Sequence, residues 1–152
     1  MTGYMKQIRK KVGSDRVMMI GAGVIIYKGR EVLLQKRRDD LSWSYHGGGV
    51  EMGEKVEIAA KRELFEETGL IANKLELFGV FSGDNGMHTY PDGNEVYIVS
   101  ITYICCDFSG EMLPETDETL ELKWFDIDDL PEDIFSPDVD ALNAFAGYIK
   151  SL

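Results

Sequence analysis

Cysteine is scarce in this 152-residue chain: only Cys105 and Cys106 occur, and they are adjacent. They fall in a strand-like run, where neighbours point to opposite faces, so they do not share a metal. Both read as reduced packing thiols rather than as a disulfide framework. Long apolar runs are also missing. The longest, Val17 to Tyr27, has 11 residues and is interrupted by Gly21 and Gly23. That is too short to span a bilayer, which takes about 20 residues. The N-terminal residues lack the apolar stretch of a secretory signal, so a cytoplasmic protein without membrane contact is expected. Positive charge is in deficit, with 16 basic against 27 acidic side chains and a formal charge of −11. Such a field argues against nucleic acid polymers as partners. Repeats, low-complexity tracts and linkers are absent as well, so residues 1–152 are expected to form a single domain.

What is present begins with an acidic stripe in an unexpected place. Residues 55–68 read as a helix ended by Gly69, a left-handed cap. On the helical wheel Val56, Ala59, Ala60, Glu63, Glu66, Glu67 and Leu70 share one arc of roughly 120°. The first half of that arc is small or apolar, and the second half is carboxylate. Like charges at these spacings repel by about 0.2–0.5 kcal/mol per pair even in water. On an inward face the lost hydration adds to that cost. A hard divalent cation bound through carboxylate oxygens is the simplest compensation.

The surrounding pattern is mixed α/β. A short helix is predicted over 4–12, with Lys6, Arg9, Lys10, Lys11 and Arg16 making this segment basic. Strands are predicted over 17–27 and 31–36, joined by a tight turn at Lys28-Gly29-Arg30. A charged stretch with Asp39 and Asp40 and a short segment at 44–46 lead to a loop at Gly47-Gly48-Gly49. After the acidic helix come a strand over 71–82, a loop over 83–94 and a long strand over 95–108. An acidic loop from Glu111 to Thr119 precedes a strand over 120–125, and a last helix lies near 137–150. Without regular βαβ alternation, this order predicts a mixed sheet flanked by helices.

Residues 48–70 resemble the signature of the Nudix hydrolases, G-x5-E-x7-R-E-U-x-E-E-x-G-U, where U is bulky and aliphatic. Gly48, Glu54, Arg62, Glu63, Leu64, Glu66, Glu67, Gly69 and Leu70 fill every specified position. A fixed-spacing motif of this length is far more specific than a short glycine pattern. The resemblance implies a Nudix-like α/β/α sandwich with a mixed parallel and antiparallel sheet. It implies a metal-dependent pyrophosphohydrolase that cleaves a nucleoside diphosphate linked to another moiety, with water attacking phosphorus. Mg²⁺ or Mn²⁺ is the implied cofactor, held by Glu63, Glu66, Glu67 and the carbonyl of Gly48. Glu66 is also a candidate for positioning the water. Arg62 borders the acidic arc and is suited to orienting carboxylates. Glu54 and Gly69 take structural roles in the box. The expected partner is a small phosphorylated substrate, and a homodimer is in keeping with the fold.

Outside the box the general base is sought in the acidic loop, with Glu118 preferred and Asp117 and Glu115 as alternates. Arg37 and Arg38, at the end of the second strand, are candidates for gripping a phosphate. Tyr90, Trp43 and Phe81 are candidates for stacking on a base. His46 stands where this family commonly has proline before the glycines; it loosens the turn, and its imidazole either takes a local hydrogen-bonding role or comes near the metal. The residues after the box match no substrate subclass: Tyr90 lies 20 positions after Leu70, beyond the spacing of dinucleoside polyphosphate hydrolases, and Asn85-Gly86 stands where ADP-ribose hydrolases have proline. A nucleotide-binding sensor that keeps the fold without turnover is the alternative from another class. An isoprenoid diphosphate isomerase is a third, with no feature in its support.

Overall fold

A computed structural model describes residues 3–152. In chain order the elements are α1 (Gly3–Val12), β1 (Val17–Lys28), β2 (Glu31–Arg37), β3 (Trp43–Ser44), β4 (His46–Gly49), α2 (Val56–Thr68), β5 (Leu70–Phe81), β6 (Met87–Thr89), β7 (Glu95–Gly110), β8 (Thr119–Asp126) and α3 (Val139–Ser151). A path β3-β2-β1-β7-β5 runs through the sheet, with β4 on β1, β6 on β7 and β8 on β2. The β1–β7 pair is parallel, from Val17↔Val96 to Ile26↔Cys105, and the other pairings are antiparallel. The mixed sheet inferred from the sequence is therefore present.

Alternation along β1 and β2 decides the two layers. Ala22, Val24, Ile26 and Leu33 face Ala59, Ala60 and Leu64 of α2. Ile25, Val32 and Leu34 face Leu142, Phe145 and Ile149 of α3 on the other side. Each fully buried leucine or isoleucine contributes about 1.5–3 kcal/mol. A third cluster, with Met5, Met19, Val96, Ile98 and Phe135, seats α1. Among the described residues, no helix is long and apolar enough to cross a membrane.

Two segments differ from the sequence reading. The stretch 83–94 is not only loop: it contains a 3-10 turn at Asp84–Gly86 and the strand β6, whose Met87–Thr89 pair with Tyr97–Glu95 of β7. The three glycines where the box begins are also ladder residues, Gly49, Gly48 and Gly47 pairing with Gly21, Ala22 and Gly23 of β1. Glycine is needed there because the backbones run so close. A Cβ on Gly47 would lie 2.7 Å from the Ala22 carbonyl oxygen. Gly69 ends α2 as expected, at φ 79°, with its N–H donating to the Phe65 carbonyl. Cys105 is buried and Cys106 exposed, as opposite strand faces require.

Candidate active site

A cavity of about 510 Å³ opens where α2, β4, the end of β2, the loop before β8 and the segment before α3 meet. Its floor is the acidic face of α2. That face divides. Glu63 and Glu67 are 7% and 4% exposed, whereas the Glu66 side chain stands at the rim, 55% exposed.

Glu67 is held at both oxygens. Gly47 N–H donates to Oε1 at 2.8 Å and Gln35 Nε2 donates to Oε2 at 2.6 Å. Burial raises its pKa well above the ordinary carboxylate value; the Gln35 hydrogen bond works against this, and the charges of Glu63 and Glu118 add to it. Glu63 is likewise raised by burial, opposed by Arg62. Arg62 is the clamp of this end. Its Nε and Nη2 donate to Glu54 at 2.8 and 2.9 Å, Nη1 donates to Glu63 at 2.8 Å, and Nη2 reaches the Gly49 carbonyl at 3.2 Å. Glu66 Oε2 lies 3.5 Å from Nη1. Glu54 is thus a partner of Arg62 rather than part of the buried pair.

Gly48 lies directly against Glu63. A Cβ there would come within 2.5 Å of the Glu63 carboxyl carbon. The glycine leaves space for a carboxylate, and the site brings hard oxygen donors together with surplus negative charge. This donor set suits a hard divalent cation. Among the described residues no group of three or more His, Cys, Asp or Glu is arranged to hold a metal as it stands. Arg62 engages Glu63, and Gln35 and Gly47 engage Glu67, each through one hydrogen bond per oxygen, so the remaining lone pairs stay available to a cation while these partners hold the carboxylates in place.

The acidic loop faces the box across the cavity. Asp117 and Glu118 both line it. Glu115 instead pairs with Arg38 Nη2 at 2.5 Å. Arg38 also donates from Nε to the Thr116 carbonyl at 2.9 Å and from its backbone N–H to the Glu118 carbonyl at 3.1 Å. Its side chain is engaged with the loop, and a phosphate would have to displace Glu115 to reach it.

At the opposite end, Arg37 donates from Nε and Nη2 to Asp39 at 2.9 and 2.7 Å, and its guanidinium lies 3.9 Å from the centre of the Phe135 ring. Asp39 Oδ2 is 3.5 Å from His88 Nε2. Burial works to raise Asp39, but His88 and Arg37 outweigh it and hold the carboxyl below the usual range. Tyr90 lines this end and meets His88 edge to face, with ring centres 4.7 Å apart. Asp138 is buried, and its pKa is pushed up to about 8 by burial, against the pull of Arg37 and the Tyr45 N–H. It stands at the helix N-cap position but caps nothing. Its Oδ2 accepts instead from Tyr45 N–H at 3.1 Å.

Three of the candidates lie away from the site. Trp43 and Phe81 do not face the cavity. Trp43 packs edge-on against Phe125, and Phe81 stacks near Phe78, both under α3. His46 is fully buried, its Nε2 donating to the Leu33 carbonyl at 3.0 Å. Burial pushes its pKa down to about 4, so a neutral imidazole braces β4 from behind rather than approaching the acids. Gln35, Asp39, His88 and Asp138 escaped the sequence reading as site residues. Gln35 alone left a signal, a polar side chain at an inward strand position.

The NUDIX domain model matches residues 18–145. An ADP-ribose pyrophosphatase from Methanocaldococcus jannaschii is 34% identical over 137 residues, spanning 85% of this chain and 77% of that one. Nucleoside triphosphatase NudI from Escherichia fergusonii is 36% identical over 109 residues, 66% of this chain and 76% of that one. The crystal structure of a MutT NUDIX hydrolase from Burkholderia pseudomallei superposes with a TM-score of 0.72 at 30% identity, covering 86% of this chain and 98% of that chain. Fold, box and relatives together define a hydrolase of phosphoric anhydride bonds. The chain belongs to the Nudix family.

Proposed function

We propose that this protein is a divalent-cation-dependent pyrophosphohydrolase, cleaving a nucleoside diphosphate linked to another moiety by attack of water on phosphorus. The observation that carries this reading is the pair of buried carboxylates, Glu63 and Glu67, fitted against a glycine strand at the floor of an accessible cavity. Glu63, Glu66, Glu67 and the Gly48 carbonyl would hold Mg²⁺ or Mn²⁺, which supplies phosphoryl charge neutralisation and an activated water when bound. Arg62 orients Glu63 through the Glu54 contact. Glu118, exposed on the loop facing the box, takes the proton from the attacking water. Arg37, kept on the cavity wall by Asp39, is placed to meet a phosphate oxygen, with Arg38 holding the loop. Tyr90 offers a ring edge or face to a base.

The named activities of the relatives, on ADP-ribose and on nucleoside triphosphates, define the first substrates to test. The experiment is a hydrolysis screen with Mg²⁺ and with Mn²⁺ against nucleoside triphosphates, ADP-ribose, dinucleoside polyphosphates, nucleotide sugars and coenzyme A. Metal-dependent release of a nucleotide product supports the reading. Tight nucleotide binding without turnover of any substrate would replace it with a sensor.

A further inference from the structure

The far side of Glu67 carries a hydrogen-bond chain. Gln35 is 1% exposed and Thr119 is fully buried. Gln35 Nε2 donates to Glu67 Oε2 at 2.6 Å and lies 3.4 Å from the Tyr45 carbonyl. Thr119 Oγ1 donates to Gln35 Oε1. The direction of the amide is therefore fixed: two acceptors lie on its nitrogen side and a hydroxyl donor on its oxygen side. Thr119 is the residue after Glu118, and its backbone N–H donates to Thr116 Oγ1 at 3.1 Å.

The sheet is modified to make this contact. Along β2 and β8 the register runs Gln35↔Leu122 and Lys36↔Glu121, then shifts so that Arg37 pairs with Thr119 rather than Leu120. Side chains alternate along a strand, so an unshifted register would put Thr119 on the opposite face from Gln35. The inserted residue turns Thr119 onto the Gln35 face, as bulges near sites commonly do.

We infer that Gln35 and Thr119 are positioning residues: Gln35 orients the Glu67 carboxylate toward the cation, and Thr119 locks Gln35 while tying the Glu118 loop to the same ligand. This rests on the reading of Glu67 as a metal ligand. The hydrogen bonds make one unit of two parts of the site, the helix ligand and the loop acid, that face each other across the cavity.

The test compares Gln35→Met, Thr119→Val and Thr119→Ser in the full-length protein, with Glu67→Gln as reference. Free Mn²⁺ measured by electron paramagnetic resonance gives affinity without substrate, and hydrolysis gives the half-saturating Mg²⁺ concentration separately from kcat. Gln35→Met and Thr119→Val are expected to weaken Mn²⁺ binding by about tenfold or more, the usual range for partners of metal ligands. Thr119→Ser, which keeps the hydroxyl, restores affinity to within about twofold. Thr119→Val is nearly isosteric, and thermal melting of each variant separates lost folding from lost orientation. Mn²⁺ affinity unchanged in Gln35→Met and Thr119→Val but lost in Glu67→Gln overturns the positioning role alone. So does a Thr119→Ser variant as impaired as Thr119→Val. Unchanged affinity in Glu67→Gln as well overturns the metal assignment and this inference with it.

Discussion

The two ends of the cavity are built in opposite ways. At the α2 end the residues that matter, Gly48, Glu54, Arg62, Glu63, Glu66 and Glu67, come from one short stretch of chain, and negative charge is in surplus. At the other end Arg37, Asp39, His88, Tyr90, Phe135 and Asp138 come from separate segments, and the charges neutralise one another. A surplus invites an external cation. A balanced, partly aromatic wall instead selects a ligand by shape and by a few polar contacts. The proposed function thus puts the chemistry of the reaction and the choice of substrate at different ends of one cavity.

That division can be broken or sharpened in order of expected effect. Glu118→Gln should slow turnover by about 10²–10⁴-fold, the range for loss of a general base, while Mn²⁺ affinity stays near that of the wild type. A rate within about threefold, roughly 0.7 kcal/mol, would move the base elsewhere. Gly48→Ala forces a Cβ into the Glu63 carboxylate, whose carboxyl carbon would be 2.5 Å away. A displaced ligand should cost about 10²-fold in kcat/KM. Gly147→Ala, with no atom within 4 Å of the new Cβ, is the control and should leave kcat/KM unchanged.

The balanced end should show itself in stability rather than rate. The Asp138 carboxyl is raised from 3.8 to about 8 by burial. A carboxyl whose folded pKa is raised keeps its proton in the native state after the unfolded chain has lost it. Its contribution is complete below the unfolded pKa and declines as pH rises from about 4 to about 8. Urea unfolding of the wild type should therefore show this loss between pH 5 and pH 8. Asp138→Asn, neutral throughout, should remove it and be the more stable protein at pH 8. The smallest effect belongs to Glu115→Gln. Its partner Arg38 is well exposed, and such ion pairs contribute about 0–1 kcal/mol. Equilibrium unfolding should shift by no more than that, and turnover should change only slightly.

The same contrast explains what was legible in the sequence. The α2 end could be read because its spacing is set by helix geometry: Glu63 and Glu67 are one turn apart, and Gly69 closes the helix in the left-handed conformation. The sheet could be read from β-branched runs such as 95–108. The split between buried Glu63 and Glu67 and the outlying Glu66 was not legible, because the width of the buried arc depends on how α2 packs on β1 and β4. Nor was the distal wall. Asp39 meets His88 only because β6 adds to β7, a strand hidden in a segment rich in glycine, aspartate and asparagine. His46 looked like a site residue next to the glycines, but strand alternation turns its ring into the core. Asp138 lies at the start of the last helix, and its contact with Tyr45 N–H joins residues 93 positions apart, which only the fold brings together.

The most direct test of the account is Mg²⁺-dependent phosphoanhydride hydrolysis by Glu67→Gln, measured on the substrate that the wild type turns over best, alongside thermal melting. Glu67→Gln removes one charge from a side chain that is 4% exposed and leaves its shape intact. Glutamine removes a charge that burial opposes but gives up one of the two acceptors used by Gly47 and Gln35, so the account predicts a protein that still melts cooperatively, with hydrolysis reduced to background at all Mg²⁺ concentrations. Turnover that persists at the wild-type rate with the same Mg²⁺ dependence would contradict it.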